Sequence, residues 1–95
     1  MTAYVIADVT ITNAQAYEEF RRHTSDSLTP YGGRFIVRGG QYETLEGDWA
    51  PGRIVVIEFP DMDKLKAWYA SPGYQRIISL RHRSSTGRLI AIQGA

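Results

Sequence analysis

Arg38 stands immediately before Gly39 and Gly40, at the end of an extended run. A guanidinium there can grip a carboxylate or an enolate-like oxygen through two parallel hydrogen bonds, and the glycines let a backbone or a ligand come close. The same charge could instead serve an ion pair with Asp8, Glu43 or Glu58, or with an acid of a second copy. Glu58 follows the apolar run Ile54-Val55-Val56-Ile57, where loss of surrounding water suits a proton-transfer group. Its plainer use is as a strand-end carboxylate paired with an arginine. His23, three residues after Phe20, sits at the edge of a helical stripe and is the other candidate base, or else a part-solvated boundary histidine. His82 lies between Arg81 and Arg83 with no carboxylate near it in sequence, and reads as a surface residue.

Aromatic residues supply candidate walls for a site. Trp68 and Tyr69 are adjacent, about 100° apart around a helix, so only one of them can point straight into a core. With Tyr74, Tyr4 and Phe35 they would form an apolar pocket carrying a few polar groups, the usual composition of a small-ligand site; ordinary core packing uses the same residues. Trp49, in a turn cluster, is costly to expose and is expected at a contact between two copies. The stretch from Arg81 to Arg88 can cradle an anion or simply connect two elements. The chain has no cysteine and only two histidines, far apart, so no metal site is expected. There is no P-loop and no Gly-x-Gly-x-x-Gly. No cofactor is expected.

The elements that must position these residues follow from spacing. Tyr4 to Ile11 is rich in β-branched and aromatic side chains and predicts a strand. Asn13 predicts a helix N-cap, with Glu18 and Glu19 near the positive end of the dipole. Tyr17, Phe20, Thr24 and Leu28 recur at intervals of three and four and set one stripe against a core, before Pro30 and Gly32-Gly33 stop the helix. Arg34 to Arg38 reads as a strand that bends or bulges at Gly39-Gly40 and resumes over Gln41 to Glu46. After a turn at Gly47 to Gly52, Arg53 to Phe59 is the clearest strand. Because short hairpin loops are common, Glu46 is placed roughly opposite Arg53; the rival register, Arg34 opposite Glu58, needs a long irregular loop. Asp61 caps a second helix with Met62, Leu65, Trp68 and Tyr69 on one face, and Ser71-Pro72-Gly73 breaks it. A further helical stretch carries Tyr74, Ile77, Ile78 and Arg81, and Gly87 leads into a last strand over Arg88 to Ile92.

Ninety-five residues form one domain, 1–95, with ordinary globular composition: 43% apolar and 22% charged. No basic stretch precedes a long apolar run, so neither a signal peptide nor a membrane span is expected, and the default location is cytoplasmic. Residues 1–63 hold all ten acids and five of the bases, whereas six bases and no acid follow from Lys64. The two segments attract each other within one fold or across a dimer, and nucleic-acid binding is not expected.

The order strand, helix, strand, strand, helix, strand predicts a ferredoxin-like α+β fold, βαββαβ: a four-stranded antiparallel sheet in the order four, one, three, two, with its helices on one face. Ile54 to Ile57 want burial on both faces, as do Val5, Ala7 and Val9 together with Tyr4 and Ile6. Two helices cover one face only, so a homodimer through the sheet is expected, the two sheets facing or merging into a barrel.

Tyr31-Gly32-Gly33-Arg34-Phe35, Arg38-Gly39-Gly40, Leu45-Glu46-Gly47, Glu58-Phe59-Pro60 and Trp68-Tyr69-Ala70-Ser71-Pro72, in this order and spacing, closely resemble the domain of unknown function family 1330 (DUF1330) over essentially the whole chain. The resemblance implies membership of the dimeric α/β-barrel superfamily with the ferredoxin-like fold. Relatives there include cofactor-free antibiotic-biosynthesis monooxygenases, isomerases and proteins of no known chemistry. Where that family commonly reads Ser-Pro-Glu-Tyr, this chain has Ser71-Pro72-Gly73-Tyr74, so no role of that glutamate carries over. Two readings stand together. In one, a dimeric barrel protein binds a small anionic or aromatic metabolite, with Arg38 as clamp and Trp68, Tyr69, Tyr4 and Phe35 as walls; as an enzyme it would run cofactor-free proton transfer or oxygen chemistry with Glu58 or His23 as base. In the other, the chain is a non-catalytic assembly module.

Overall fold

The computed structural model describes residues 1–95. β1 (Ala3–Ile11) leads to α1 (Ala14–Leu28), a 3-10 turn (Thr29–Tyr31), β2 (Arg34–Arg38), β3 (Arg53–Phe59), α2 (Met62–Ala70), α3 (Pro72–Ser84) and β4 (Ser85–Gln93). The strands lie in the order β2-β3-β1-β4, each antiparallel to its neighbours. This is the ferredoxin-like arrangement that the order of apolar segments predicts.

Local chemistry sets the element ends. The Asn13 side chain accepts from the Ala16 N–H at 3.0 Å and Asp61 from the Lys64 N–H at 2.8 Å, each satisfying a donor that the helix cannot. Ser71 ends α2 and caps α3: its hydroxyl donates to the Trp68 carbonyl and accepts from the Tyr74 N–H, with Pro72 at the first helical position. Gly32 closes α1 and its 3-10 extension at φ 70°, a conformation a side chain would strain. No acid falls in the first turn of α1. Glu18 instead binds Arg21 one turn further on, at 2.6 and 2.8 Å, so the expected contact with the dipole gives way to an ion pair.

The sheet has two unlike faces. Ala3, Val5, Ala7 and Val9 of β1 and Val55, Ile57 and Phe59 of β3 are buried beneath the helices. The buried stripe of α1 is Tyr17, Phe20, Thr24 and Leu28, as its spacing predicts. Trp68 and Tyr74 close the core with ring centroids 4.3 Å apart, and Ser27 Oγ accepts from the Trp68 indole at 2.9 Å. The opposite face carries Tyr4, Ile6, Ile54, Val56, Ile90 and Ile92, with Ile6 opposite both Val56 and Ile90. No element of the chain lies over the middle of that row, and Ile90 remains 57% exposed.

The structure corrects the sequence reading of residues 39–52. Gln41 to Glu46 form no strand, and Arg34, not Glu46, takes the cross-strand charge pair, lying opposite Glu58. The bulge lies between Phe35 and Val37 rather than at Gly39-Gly40. The long connection is affordable because Asp8, from the neighbouring β1, holds it: the carboxylate accepts from the Gly52 N–H at 2.9 Å and from the Trp49 indole at 3.1 Å. Tyr42 donates to the Pro51 carbonyl, and Thr44 to that of Trp49. A contact across 41 residues is not legible in local turn chemistry.

The Trp49 bond first, then Gly52 and Arg88, hold the Asp8 carboxyl below its ordinary value. A depressed carboxylate holds its partners above the unfolded-state value and releases them as pH falls through the folded one. Limited proteolysis should therefore cut within residues 40–51 faster in Asp8→Ala than in the parent at neutral pH. Equal cleavage rates would show that the latch does not restrain the loop.

Candidate functional site

A cavity of about 50 Å³ lies between the helices and the inner face of the sheet. Its walls are Val5, Ile57, Phe35, Phe20, Trp68 and Tyr74, with the side chains of Arg21, Arg38, Arg53 and Arg81 completing them. Strand register explains the grouping. Arg53 shares the parity of Val55, Ile57 and Phe59, so it points toward the helices with them. In a regular strand Phe35 and Arg38, three apart, would face opposite ways. The extra residue at Ile36 resets the alternation: Phe35 pairs with Ile57 and Arg38 with Val55, both on the inner face. The Arg38 guanidinium carbon then lies 4.3 Å from the centre of the Phe35 ring.

The four guanidinium groups differ in what neutralises them. Arg21 is bound to Glu18, which raises the arginine's pKa and lowers that of the glutamate. Arg38 donates to Ser25 Oγ at 3.1 Å, a neutral partner. Arg53 donates to the Arg38 carbonyl at 3.3 Å and lies 5.8 Å from the centre of the Tyr17 ring. Arg81 contacts His82 Nε2 at 3.3 Å. None of the last three has a carboxylate within 4.0 Å. The Nε atoms of Arg53 and Arg81 are buried with no acceptor, and an unmatched buried donor of this kind costs about 1–3 kcal/mol. What comes close to Gly39, at φ 71°, is the side chain of Arg53: a Cβ there would collide with its guanidinium.

Of the residues singled out from sequence, the structure gathers Phe35, Arg38, Trp68 and Tyr74 around this cavity. It sets the others elsewhere. Tyr4 is on the opposite face of the sheet, between Glu58 and Ile92. Glu58 shares that face and is held by Arg34 at 2.8 and 2.9 Å. Tyr69 is on the outer side of α2, 41% exposed, lining a separate shallow hollow with Leu65 and Ile90. His23 is exposed, 4.0 Å from Glu19, over a groove shared with Asp26 and Arg76. Sequence reasoning passed over Arg21 and Arg53 as site residues and met Arg81 only as the start of a stretch able to cradle an anion. Parity with Val55 and the heptad spacing of Arg81 from Tyr74 were the available signals.

No three His, Cys, Asp or Glu side chains are grouped so as to hold a metal ion. No helix is long and apolar enough to cross a membrane.

Comparison with known proteins gives the following. The family model described as a domain of unknown function (DUF1330) matches residues 2–95. No curated protein matches. Among solved structures, a protein of unknown function from Rhodopseudomonas palustris superimposes with a TM-score of 0.81 at 18% identity, covering 99% of this chain and 82% of that one. A dimeric ferredoxin-like protein of unknown function from Jannaschia sp. CCS1 gives 0.67 at 15% identity, covering 99% and 100%. SnoaB, a cofactor-independent oxygenase from Streptomyces nogalater, gives 0.65 at 17% identity, covering 99% and 92%. At these identities the likeness is one of fold.

Tyr74 is 1% exposed, and burial pushes its phenol up to about 12. The group therefore stays neutral in the cavity wall, with the Arg81 guanidinium beside it partly opposing the effect of burial. Because the folded value is raised, its contribution to stability is complete below the ordinary value of 10 and is lost as pH rises toward about 12. Over that window the parent should lose up to about 3 kcal/mol that Tyr74→Phe does not lose. Denaturant titrations across the window measure it, and parallel pH profiles of the two proteins would contradict the assignment.

Proposed function

This chain belongs to the DUF1330 family, and from that footing we propose that it is a homodimeric α/β-barrel protein that binds a small anionic or aromatic metabolite between its helices and its sheet. One observation carries the reading: three guanidinium groups with no carboxylate within 4.0 Å surround an apolar cavity. Structural arginines normally come with acids, because an unpaired cation beside apolar walls is costly to desolvate. Here the chain leaves the charge open toward a space with aromatic walls, which is the composition of a ligand site. Arg38 is the outermost clamp, stacked on Phe35, and Trp68 is a wall.

Binding is favoured over turnover by the position of the candidate bases. Glu58 is on the far face of the sheet, engaged by Arg34, and His23 is on the outer side of α1. Neither faces the cavity. SnoaB is a cofactor-independent oxygenase, and at 17% identity its likeness to this chain carries the fold alone.

The homodimer rests on surface. The chain exposes 6193 Å² against about 5,500 Å² for a compact monomer of its mass. The excess is comparable to the ~800 Å² that each partner buries in a standard interface. Ile90, Ile92 and Val37 are 57, 45 and 38% exposed on the uncovered face. The Jannaschia protein of the same fold is described as dimeric.

A thermal-shift panel of small aliphatic acids, aromatic acids and phosphates tests the binding reading. A ligand at a hundred times its Kd should stabilise the protein by about 2.7 kcal/mol, roughly 10–20 °C for a domain of this size. Arg38→Ala should weaken the same ligand roughly 10- to 100-fold, the loss of one charge-assisted hydrogen bond. A panel in which no class shifts the parent protein would refute the reading; equal shifts in parent and variant would remove Arg38 from the site.

A further inference from the structure

We propose that the ligand is a short aliphatic monocarboxylate of about four or five carbons, held by the guanidinium groups of Arg53 and Arg81 with its chain among the aromatic rings; this rests on the binding reading above and narrows it. The strand register gives the cavity two chemically distinct ends. Arg53 lies opposite Val9, Arg38 opposite Val55, and Arg81 precedes by four residues Ser85, which lies opposite Ile11. The backbones of all three therefore gather where β1 and β2 end and β3 and β4 begin, and the Arg38 guanidinium reaches from there over Phe35, leaving Arg53 and Arg81 as the pair for the ligand. Toward the other end the walls are Val5, Ile57, Phe35 and Trp68.

The donor pattern fits a planar carboxylate. An arginine Nε–H and its neighbouring Nη–H form a side-on fork that matches two coplanar oxygens. In both Arg53 and Arg81 the Nε is the atom the protein leaves without an acceptor. Glu18, whose depressed pKa registers the charge of Arg38, is bound to Arg21 and lies more than 4.0 Å from the guanidinium groups of Arg38, Arg53 and Arg81. An anion is thus the missing electrostatic partner. The hydroxyls that would complete a phosphate shell are few: Thr24 is spent on the Phe20 carbonyl.

Size selects among carboxylates. At about 50 Å³ and roughly 10–15 Å³ for each water-sized group, the space takes three or four heavy atoms, whereas a cavity that holds benzene is on the order of 150 Å³. An aromatic ring does not enter without repacking. The three or four alkyl carbons of a short aliphatic acid fill it, and the three atoms of the carboxylate then lie beyond that volume, against the guanidinium groups.

Butyrate and isovalerate, titrated at constant ionic strength against the full-length protein by calorimetry and thermal shift, test this beside benzoate, inorganic phosphate and 1-butanol. Butyrate and isovalerate should bind and raise the melting temperature, and benzoate, phosphate and 1-butanol should not. Arg53→Gln and Arg81→Gln should each weaken butyrate at least tenfold, and Arg53→Lys and Arg81→Lys, which keep the charge but lose the fork, should not restore it. The comparison of butyrate with 1-butanol uses the parent protein alone, so it stands even where a variant fails to fold. Equal effects of the acid and the alcohol, or no effect of either acid, overturn the inference. Binding of benzoate or phosphate in their place overturns the inference while leaving the broader binding reading intact. Silence across all the probes, and across the wider panel, overturns both.

Discussion

A four-stranded sheet has two faces to hide, and in this chain both carry a row of apolar side chains, the outer one flanked by the charged pairs Arg34–Glu58 and Asp8–Arg88, while all of the helical cover lies on the inner face. The alternation of β1 shows it directly: Val5, Ala7 and Val9 are buried below the helices, and Ile6, next to them, lies opposite Val56 and Ile90 on the uncovered side. A sheet meant to stand alone would place polar residues in that second row. The imbalance assigns different work to the two faces. The inner face, closed by α1, α2 and α3, holds the core and the cavity; the outer face is left bare, and in the proposed homodimer a second copy would cover it by symmetry.

Within the inner face, the site depends on one irregularity. The additional residue at Ile36 costs regular pairing at the edge strand, yet it brings Phe35 and Arg38 to the same side and lets the guanidinium stack on the ring. Arg53 reaches the same region from the next strand, packed against the bare backbone of Gly39. Arg81 arrives from the end of α3, whose last turn carries Arg81, His82 and Arg83, a favourable place for cations at the negative end of a helix dipole. Three separate elements thus deliver positive charge to the walls of an apolar cavity, and the nearby acids are engaged elsewhere: Glu18 by Arg21, Glu58 by Arg34, Asp8 by the long connection.

Much of this was legible in the sequence because it is periodic. The α1 stripe, the caps at Asn13 and Asp61, the break at Ser71-Pro72 and the apolar run of β3 are local signals, and each is where the spacing puts it. The register between β2 and β3 was not, because it is decided by Asp8, a residue of a third strand, and by a loop longer than turn statistics favour. The bulge was looked for at the glycines and lies at an isoleucine, since what matters there is which side chains must share a face. Sequence drew attention to Phe35, Arg38, Trp68 and Tyr74, which do line one cavity, and to Tyr4, Glu58, Tyr69 and His23, which do not. Glu58 and Tyr4 are separated from the cavity by the pleat itself, a distinction of parity that becomes visible only once the strand's buried face is known.

The central claim is that the uncovered face of the sheet is an interface between two copies, and the mass of the protein in solution tests it most directly. Sedimentation equilibrium over a dilution series should give twice the 10.7 kDa chain mass, shifting toward a single chain in Ile90→Asp, where a buried charge would face its symmetry mate. A species of 10.7 kDa at every concentration, folded and without affinity for a hydrophobic dye, would contradict it.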